Sequence, residues 1–395
     1  MVQNPRLTLA SGPVDVSSET LRAMQKPVMY HYDPVFLETF RHTCDLMAQV
    51  YQTQYDVVLL QAEAIAGLEA AAASVIETGT KVLNLVSGVF GKGFEGWIEK
   101  YGGETIELAV PYNAAIDPAD VRRAFELDPT ISVLSVVHSE TPSGTINPVR
   151  EICTIAREFG AITIVDTVSG LLSEDFSPEA WGMDIAVAGP QKCLTGVPGM
   201  SLIAVSPEAW TRMESLANPL RGSFLSLLDW KTSWIDNGRF PYTPSVSDVY
   251  ALQSALQQTL DEGVANVVAR HQVSARATRA AVRALGLELW AESEAISTSS
   301  CTAVKVPDGI DDATLRSHMR SRYGVMISGG YGSIAGKLFR LGHMGITAHP
   351  TTVIAQIGVL ERSLVDLGYD VQLGTGVGAA LAEFSQWDDA ARSYR

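Results

Sequence analysis

Between Val57 and about Val205 the chain alternates short apolar, β-branched runs with longer stretches of helical periodicity. The runs Val57–Leu60, Lys81–Leu85, Glu104–Val110, Ile131–Val137, Ile162–Asp166, Ile185–Ala188 and Leu202–Val205 read as strands. Gly67–Glu77, Asp117–Leu127 and Pro148–Phe159 lie between them with the length of crossover helices. This alternation predicts an α/β fold built on a mostly parallel sheet. After Trp230 the pattern changes. A turn-rich stretch, Asp236–Ser247, leads into helices expected over Asp248–Glu262 and Val264–Leu285. Beyond them Ile296–Val306, Val325–Ile327 and Leu338–Leu341 read as strands, with helices over Asp311–Arg322 and Thr351–Leu367. We therefore expect an N-terminal arm over 1–16, a large domain over 17–255 and a smaller α+β domain over 256–395. Within the arm, Leu7–Pro13 is too apolar to be left in water. No repeat of fixed period occurs, which excludes solenoids.

A chain of 395 residues with 46% apolar content can bury one large core and a second smaller one. Its net charge of -15 argues against nucleic acids as partners, since they are held by clustered Lys and Arg. No apolar run approaches the ~20 residues that span a bilayer, and the N-terminus lacks the order of a secretory signal. A cytoplasmic location is expected. Cys44, Cys153, Cys193 and Cys301 lack metal-type spacing, so we expect no metal site and read them as buried structural thiols.

The candidate chemistry begins at Lys192, in the segment Ala186-Val-Ala-Gly-Pro-Gln-Lys192, which leaves a strand and breaks into a Gly/Pro-rich loop. In a doubly wound sheet, ligands bind outside the carboxyl ends of the strands, where such a lysine projects. Ile162-Thr-Ile-Val-Asp166 ends an apolar strand in a carboxylate about one βα step earlier, so both groups reach one edge. A pyridoxal ring needs this pair, an amine to condense with its aldehyde and an anion to keep its nitrogen protonated. Phe90, in Val86-Ser-Gly-Val-Phe90-Gly-Lys-Gly-Phe94, follows a strand and can stack on an aromatic ring. The blander alternatives are a solvated lysine, an N-capping Asp166 and a core Phe90.

These segments, with His138-Ser-Glu-Thr141-Pro-Ser-Gly144 and Phe339-Arg340-Leu-Gly-His343-Met-Gly345, resemble the class V, alanine–glyoxylate type of fold-type I aminotransferases over nearly the whole chain. Within that family the resemblance is closest to members that move the amino group of pyridoxamine to pyruvate, on Tyr112–Pro118, Thr141–Pro148 and Gly91–Phe94. The resemblance implies an enzyme with Lys192 as Schiff-base lysine, Asp166 as partner of the ring nitrogen, Phe90 stacking and Thr141 near the ring hydroxyl. It adds Val168, Gln191 and Glu63 to the vitamer site, and Arg340, Tyr32 and Tyr331 to the site for the amino or oxo acid. A guanidinium fork at Arg340 suits a carboxylate on physical grounds as well. His343, two residues before a glycine in a turn, reads as a backbone-bonded structural residue. The family also implies a homodimer or homotetramer, with Phe240-Pro-Tyr242-Thr243-Pro244 reaching toward the neighbour.

Phosphorylated pyridoxal is normally held by Ser/Thr and Gly at a helix N-terminus. The corresponding stretch, Leu60-Gln-Ala-Glu63-Ala-Ile-Ala-Gly67, has Ala62 and Glu63 instead of hydroxyls, and Pro190 supplies neither hydroxyl nor N–H. Glu63 should repel a phosphate and accept a hydrogen bond from a 5′-hydroxymethyl group. The expected activity is therefore transamination between unphosphorylated pyridoxamine or pyridoxal, as substrate, and a small 2-oxo acid such as pyruvate. The departures are Phe90 in place of an aromatic hydroxyl and Tyr331 near an expected second arginine, which leaves the oxo acid open. The rivals are a conventional pyridoxal-phosphate enzyme of the alanine or serine–glyoxylate kind and a non-catalytic vitamer-binding protein. A cysteine desulfurase is disfavoured because Cys301 reads as part of a strand.

Overall fold

The computed structural model describes residues 5–387. The first four residues of the expected arm and the last eight of the C-terminal domain lie outside them. The strands expected between Val57 and Val205 form one seven-stranded sheet. Across it the order is Asp56–Leu60, Ser201–Val205, Ile185–Ala188, Ile162–Asp166, Val133–Val137, Lys81–Val86 and Glu104–Ala109. Only Ser201–Val205 runs against its neighbours. Six strands therefore end at one edge of the sheet. The chain leaves that edge toward Glu63, Phe90, Thr141, Val168 and Lys192, which is how residues far apart in sequence come to share one face.

The inner strands are buried on both sides, which suits their continuous Val, Ile, Leu and Ala runs, while the edge strand Glu104–Ala109 is partly exposed. Helices Ala64–Val75, Pro118–Leu127 and Val149–Glu158 occupy the expected crossovers. Several further helices were not anticipated, two of them among the longer ones. Pro34–Tyr51 begins with Asp33 as its cap and Pro34 in the first turn, and it buries Phe36, Phe40, Met47 and Val50. Val89–Lys100 follows the Lys81–Val86 strand directly, so Phe90 sits in the first turn of a helix rather than in a loop.

The hydrophobic interior divides into two main clusters. One contains the sheet and its helices and ends in the chain at Val267, apart from Cys301 and Met344. The other runs from Val273 to Phe384 and takes in Leu9 of the arm. The changeover falls inside the helix Val264–Ala284. In the second unit Cys301–Lys305, Leu338–Gly342 and Ser328–Gly329 make an antiparallel sheet. The strand expected from Ile296 begins only at Cys301, because Thr298, Ser299 and Ser300 turn their hydroxyls into a buried polar network with Glu174 and Ser139. The arm pairs Leu7–Thr8 with Val325–Met326, while its Val14 N–H reaches the Gln191 carbonyl at 3.3 Å. It thus bridges the two clusters. Among the described residues no helix is long and apolar enough to cross a membrane, and no group of His, Cys, Asp and Glu is placed to hold a metal. All four cysteines are free thiols; Cys44 is only half-buried, the others fully.

Candidate active site

A cavity of about 420 Å³ opens at the carboxyl edge of the large sheet. Glu63, Phe90, Thr141, Asp166, Val168, Lys192 and Tyr331 all line it, so most of the sequence-derived set comes together. Lys192 stands in the loop after Ile185–Ala188, nearly buried, and its Nζ donates to the Ser11 carbonyl at 2.7 Å. Burial pushes its pKa below the ordinary lysine range, and the Arg340 guanidinium pushes it further down. Asp166 ends the adjacent strand. Its Oδ1 accepts the Val168 N–H at 2.9 Å, which caps a turn rather than a helix. Burial raises this carboxyl to about 6 against the opposing pull of that N–H and of Lys192.

Thr141 is buried, and its hydroxyl exchanges a 2.7 Å hydrogen bond with that of Ser169, which also lines the cavity. Phe90 is 39% exposed, high for a phenylalanine, and meets no other ring among the described residues. It is one of the residues that line the cavity. Arg340, on Leu338–Gly342, donates from Nε to the Gly329 carbonyl at 2.8 Å and from Nη1 to the Thr141 carbonyl at 3.1 Å. No carboxylate lies within ion-pair distance of it among the described residues. The guanidinium is thus a mostly buried cation beside the cavity, anchored by two carbonyls, with its charge left for an anion to neutralise.

At the far end, Glu63 is both the N-cap of Ala64–Val75 and part of the cavity wall. One carboxylate oxygen accepts the Ile65 N–H at 3.0 Å, the other the Gln191 Nε2 at 2.7 Å. The nearby Ser201 hydroxyl already donates to the Ala62 and Glu63 carbonyls. The helix N-terminus that would welcome an outside anion is therefore capped by the chain's own carboxylate. Gln191 does not line the cavity but holds Glu63 in position, and its Oε1 is buried without a partner.

Of the two tyrosines expected at the site, one lies away from it. Tyr32 does not reach this cavity; it packs against His31 and Phe240 just ahead of the Pro34–Tyr51 helix, with its hydroxyl 3.5 Å from the Phe240 carbonyl. Tyr331 does line the cavity and is 60% exposed, standing just ahead of a short 3-10 turn. His343 is structural as expected, bonded to the Ser299 carbonyl and the Thr302 hydroxyl. Ser11, Ser169 and Glu140 escaped the sequence reading; Ser169, three residues after Asp166 in the same strand-end turn, carried the clearest signal.

A large α/β unit with a lysine and a carboxyl at one sheet edge, a smaller unit supplying an arginine, and a cavity between them define an aminotransferase of the fold-type I architecture. The family Aminotransferase class-V matches residues 31–345, and the chain belongs to it. It is 44% identical over 381 residues to the pyridoxamine–pyruvate transaminase of Mesorhizobium japonicum, covering 96% of each chain. The crystal structure of pyridoxamine–pyruvate aminotransferase from Mesorhizobium loti matches with a TM-score of 0.94 at 43% identity, over 97% of this chain and 98% of that one. More distant is the ureidoglycine–glyoxylate aminotransferase of Bacillus subtilis, with a TM-score of 0.92 at 28% identity, over 98% of this chain and all of that one.

Proposed function

We propose that this aminotransferase moves the amino group between unphosphorylated pyridoxamine and a small 2-oxo acid such as pyruvate, the vitamer entering and leaving as a substrate. The observation that carries the reading is the Glu63 carboxylate. It lines the cavity while capping the helix that would otherwise bind phosphate, so an arriving phosphate meets a like charge and an occupied amide. A hydroxymethyl group meets an acceptor instead. That the 44% identical relative is named for the same reaction supports it.

The remaining residues fit the ring. Phe90 offers an unpartnered aromatic face, the Thr141–Ser169 hydroxyl pair a polar contact, and Asp166 a carboxyl whose raised pKa lets it share a proton with a ring nitrogen. The bound ring supplies an electron sink for the bonds at the amino carbon. Burial, and then the Arg340 guanidinium, lower the pKa of Lys192 and so favour the neutral Nζ, the form that can attack a carbonyl carbon or carry a proton between adjacent carbons. Arg340 takes the carboxylate of the amino or oxo acid and fixes which face of that molecule meets Nζ.

The test is to mix the purified protein with pyridoxamine and pyruvate and follow pyridoxal and alanine, in parallel with pyridoxamine phosphate. Turnover with the free vitamer and little with the phosphate is expected. Preference for the phosphate would return the protein to the conventional cofactor-retaining reading.

A further inference from the structure

Helix Val89–Lys100 begins in an unusual way. Its N-cap is Gly88, which has no side chain to accept the free N–H groups of the first turn. Those amides are not left open. Glu140, on the short strand Ser139–Glu140, reaches them from another part of the fold. It accepts the Gly91 N–H at 2.7 Å and the Phe90 N–H at 3.3 Å. A Cβ on Gly88 would come within 2.4 Å of the Glu140 carboxyl carbon, so the missing side chain makes the space that Glu140 fills. Asn84 completes the clamp, donating to the Gly91 carbonyl at 3.1 Å and accepting from Ser135.

Glu140 is fully buried and, among the described residues, has no cation within ion-pair distance. Burial raises its carboxyl to about 7. A buried acid of this kind is costly to keep unless the bonds it makes matter. Its chain neighbours Ser139 and Thr141 line the cavity, and so does Phe90, which it holds. One side chain thus ties the two cavity walls together.

We propose that Glu140 is a positioning residue, which by capping the Val89–Lys100 helix from outside fixes Phe90 over the vitamer ring and sets its distance from Thr141. This rests on the reading of Phe90 as the stacking residue. Glu140 itself touches no reacting atom.

The experiment measures pyridoxal binding by absorbance titration, the visible circular dichroism of bound pyridoxal, and KM for pyruvate. The full-length variants are Glu140→Gln, Phe90→Ala, the double variant and Gly88→Ala. Gly88 has an extended backbone that alanine also adopts, so Gly88→Ala displaces the carboxylate through its Cβ alone and serves should Glu140→Gln fail to fold. Loss of a charge-assisted bond predicts pyridoxal binding about tenfold weaker in Glu140→Gln and Gly88→Ala, with reduced dichroism. KM for pyruvate should stay within about twofold of wild type, as Arg340 is not held by Glu140. If Glu140 acts through Phe90, the double variant binds no more weakly than Phe90→Ala. Full additivity, or unchanged binding in both Glu140→Gln and Gly88→Ala while Phe90→Ala binds weakly, overturns the proposal alone. Unchanged binding in Phe90→Ala overturns the stacking reading and this proposal with it.

Discussion

Replacing Glu63 with serine should reverse or sharply narrow the preference for the free vitamer. Serine is itself a strong N-cap, so the bond to the Ile65 N–H is replaced and helix stability should change by no more than about 0.5 kcal/mol. What disappears is the charge, together with the bond it accepts from Gln191 Nε2. A phosphate at this helix N-terminus would stand ~4 Å from the carboxylate, where each pair of unit charges repels by about 1 kcal/mol in water and about 4 kcal/mol near a protein surface. Glu63 is exposed, which favours the lower part of that range, while a phosphate monoester carries roughly 1.5 to 2 charges. The sum is about 2 to 3 kcal/mol, or a thirtyfold to hundredfold change in the ratio of affinities at roughly 1.4 kcal/mol per decade. Competition titration of pyridoxal against pyridoxal phosphate on both proteins measures it. Because the repulsion is between partly solvated charges, the wild-type preference should also shrink in high salt. A ratio that moves by less than about threefold would remove the electrostatic argument, since even two unit charges repelling through bulk water at that distance would change it by more.

Three further outcomes are expected. Lys192→Ala should lose about 10³-fold in turnover, because the attacking amine and the proton carrier are one group; single-turnover reaction with pyridoxamine and pyruvate checks it, and near-normal rates would unseat the mechanism. Arg340→Lys should weaken oxo-acid binding by about 1.5 to 3 kcal/mol while leaving pyridoxal affinity almost unchanged, since an ammonium cannot span the Gly329 and Thr141 carbonyls and still present a fork; equal losses for both ligands would make Arg340 a structural residue. Asp166, raised from 3.8 to about 6, holds its proton in the folded protein over a range where the unfolded chain has released it. Stability is thus favoured below about pH 4 and lost as pH rises toward about 6; ligand-free Asp166→Asn should melt with a flatter pH profile there, and an equally steep one would count against the burial argument.

The sheet was legible because its inner strands are apolar on both faces and bounded by turn residues, so Ile162–Asp166 and Ile185–Ala188 have the expected ends. The helix Val89–Lys100 was not, because Gly91, Gly93 and Gly96 give it poor intrinsic propensity and its cap comes from Glu140, some fifty positions away. Pro34–Tyr51 could have been read from Asp33-Pro34 and the spacing of Phe36, Phe40 and Met47. At the site, the groups that end strands were legible, since strand direction alone brings Asp166 and Lys192 to one edge. The Glu63–Gln191 pair joins residues 128 positions apart, and the Thr141–Ser169 pair joins two loops. No periodicity encodes such contacts.

Lys192 likewise owes its chemistry to residues far from it in the chain. An alkylamine in water holds its proton at pH 7, so a lysine that must act as a base has to be dehydrated or set beside positive charge. The Gly/Pro-rich segment around Lys192 supplies neither. Dehydration comes in part from the arm, which crosses at Gly12 so closely that a Cβ there would lie 2.5 to 2.7 Å from the lysine side chain. Gly12 also has φ +97°, a conformation that suits glycine and lets the chain turn so that the Ser11 carbonyl meets Nζ. The positive charge comes from Arg340, on the smaller unit. The arm is held to that unit by Leu7–Thr8 against Val325–Met326 and by the hydroxyls of Ser11 and Ser328, 2.9 Å apart. The motif therefore locates the lysine, while the packing of arm and smaller unit against the sheet edge lowers the pKa of its amine, the direction a base needs.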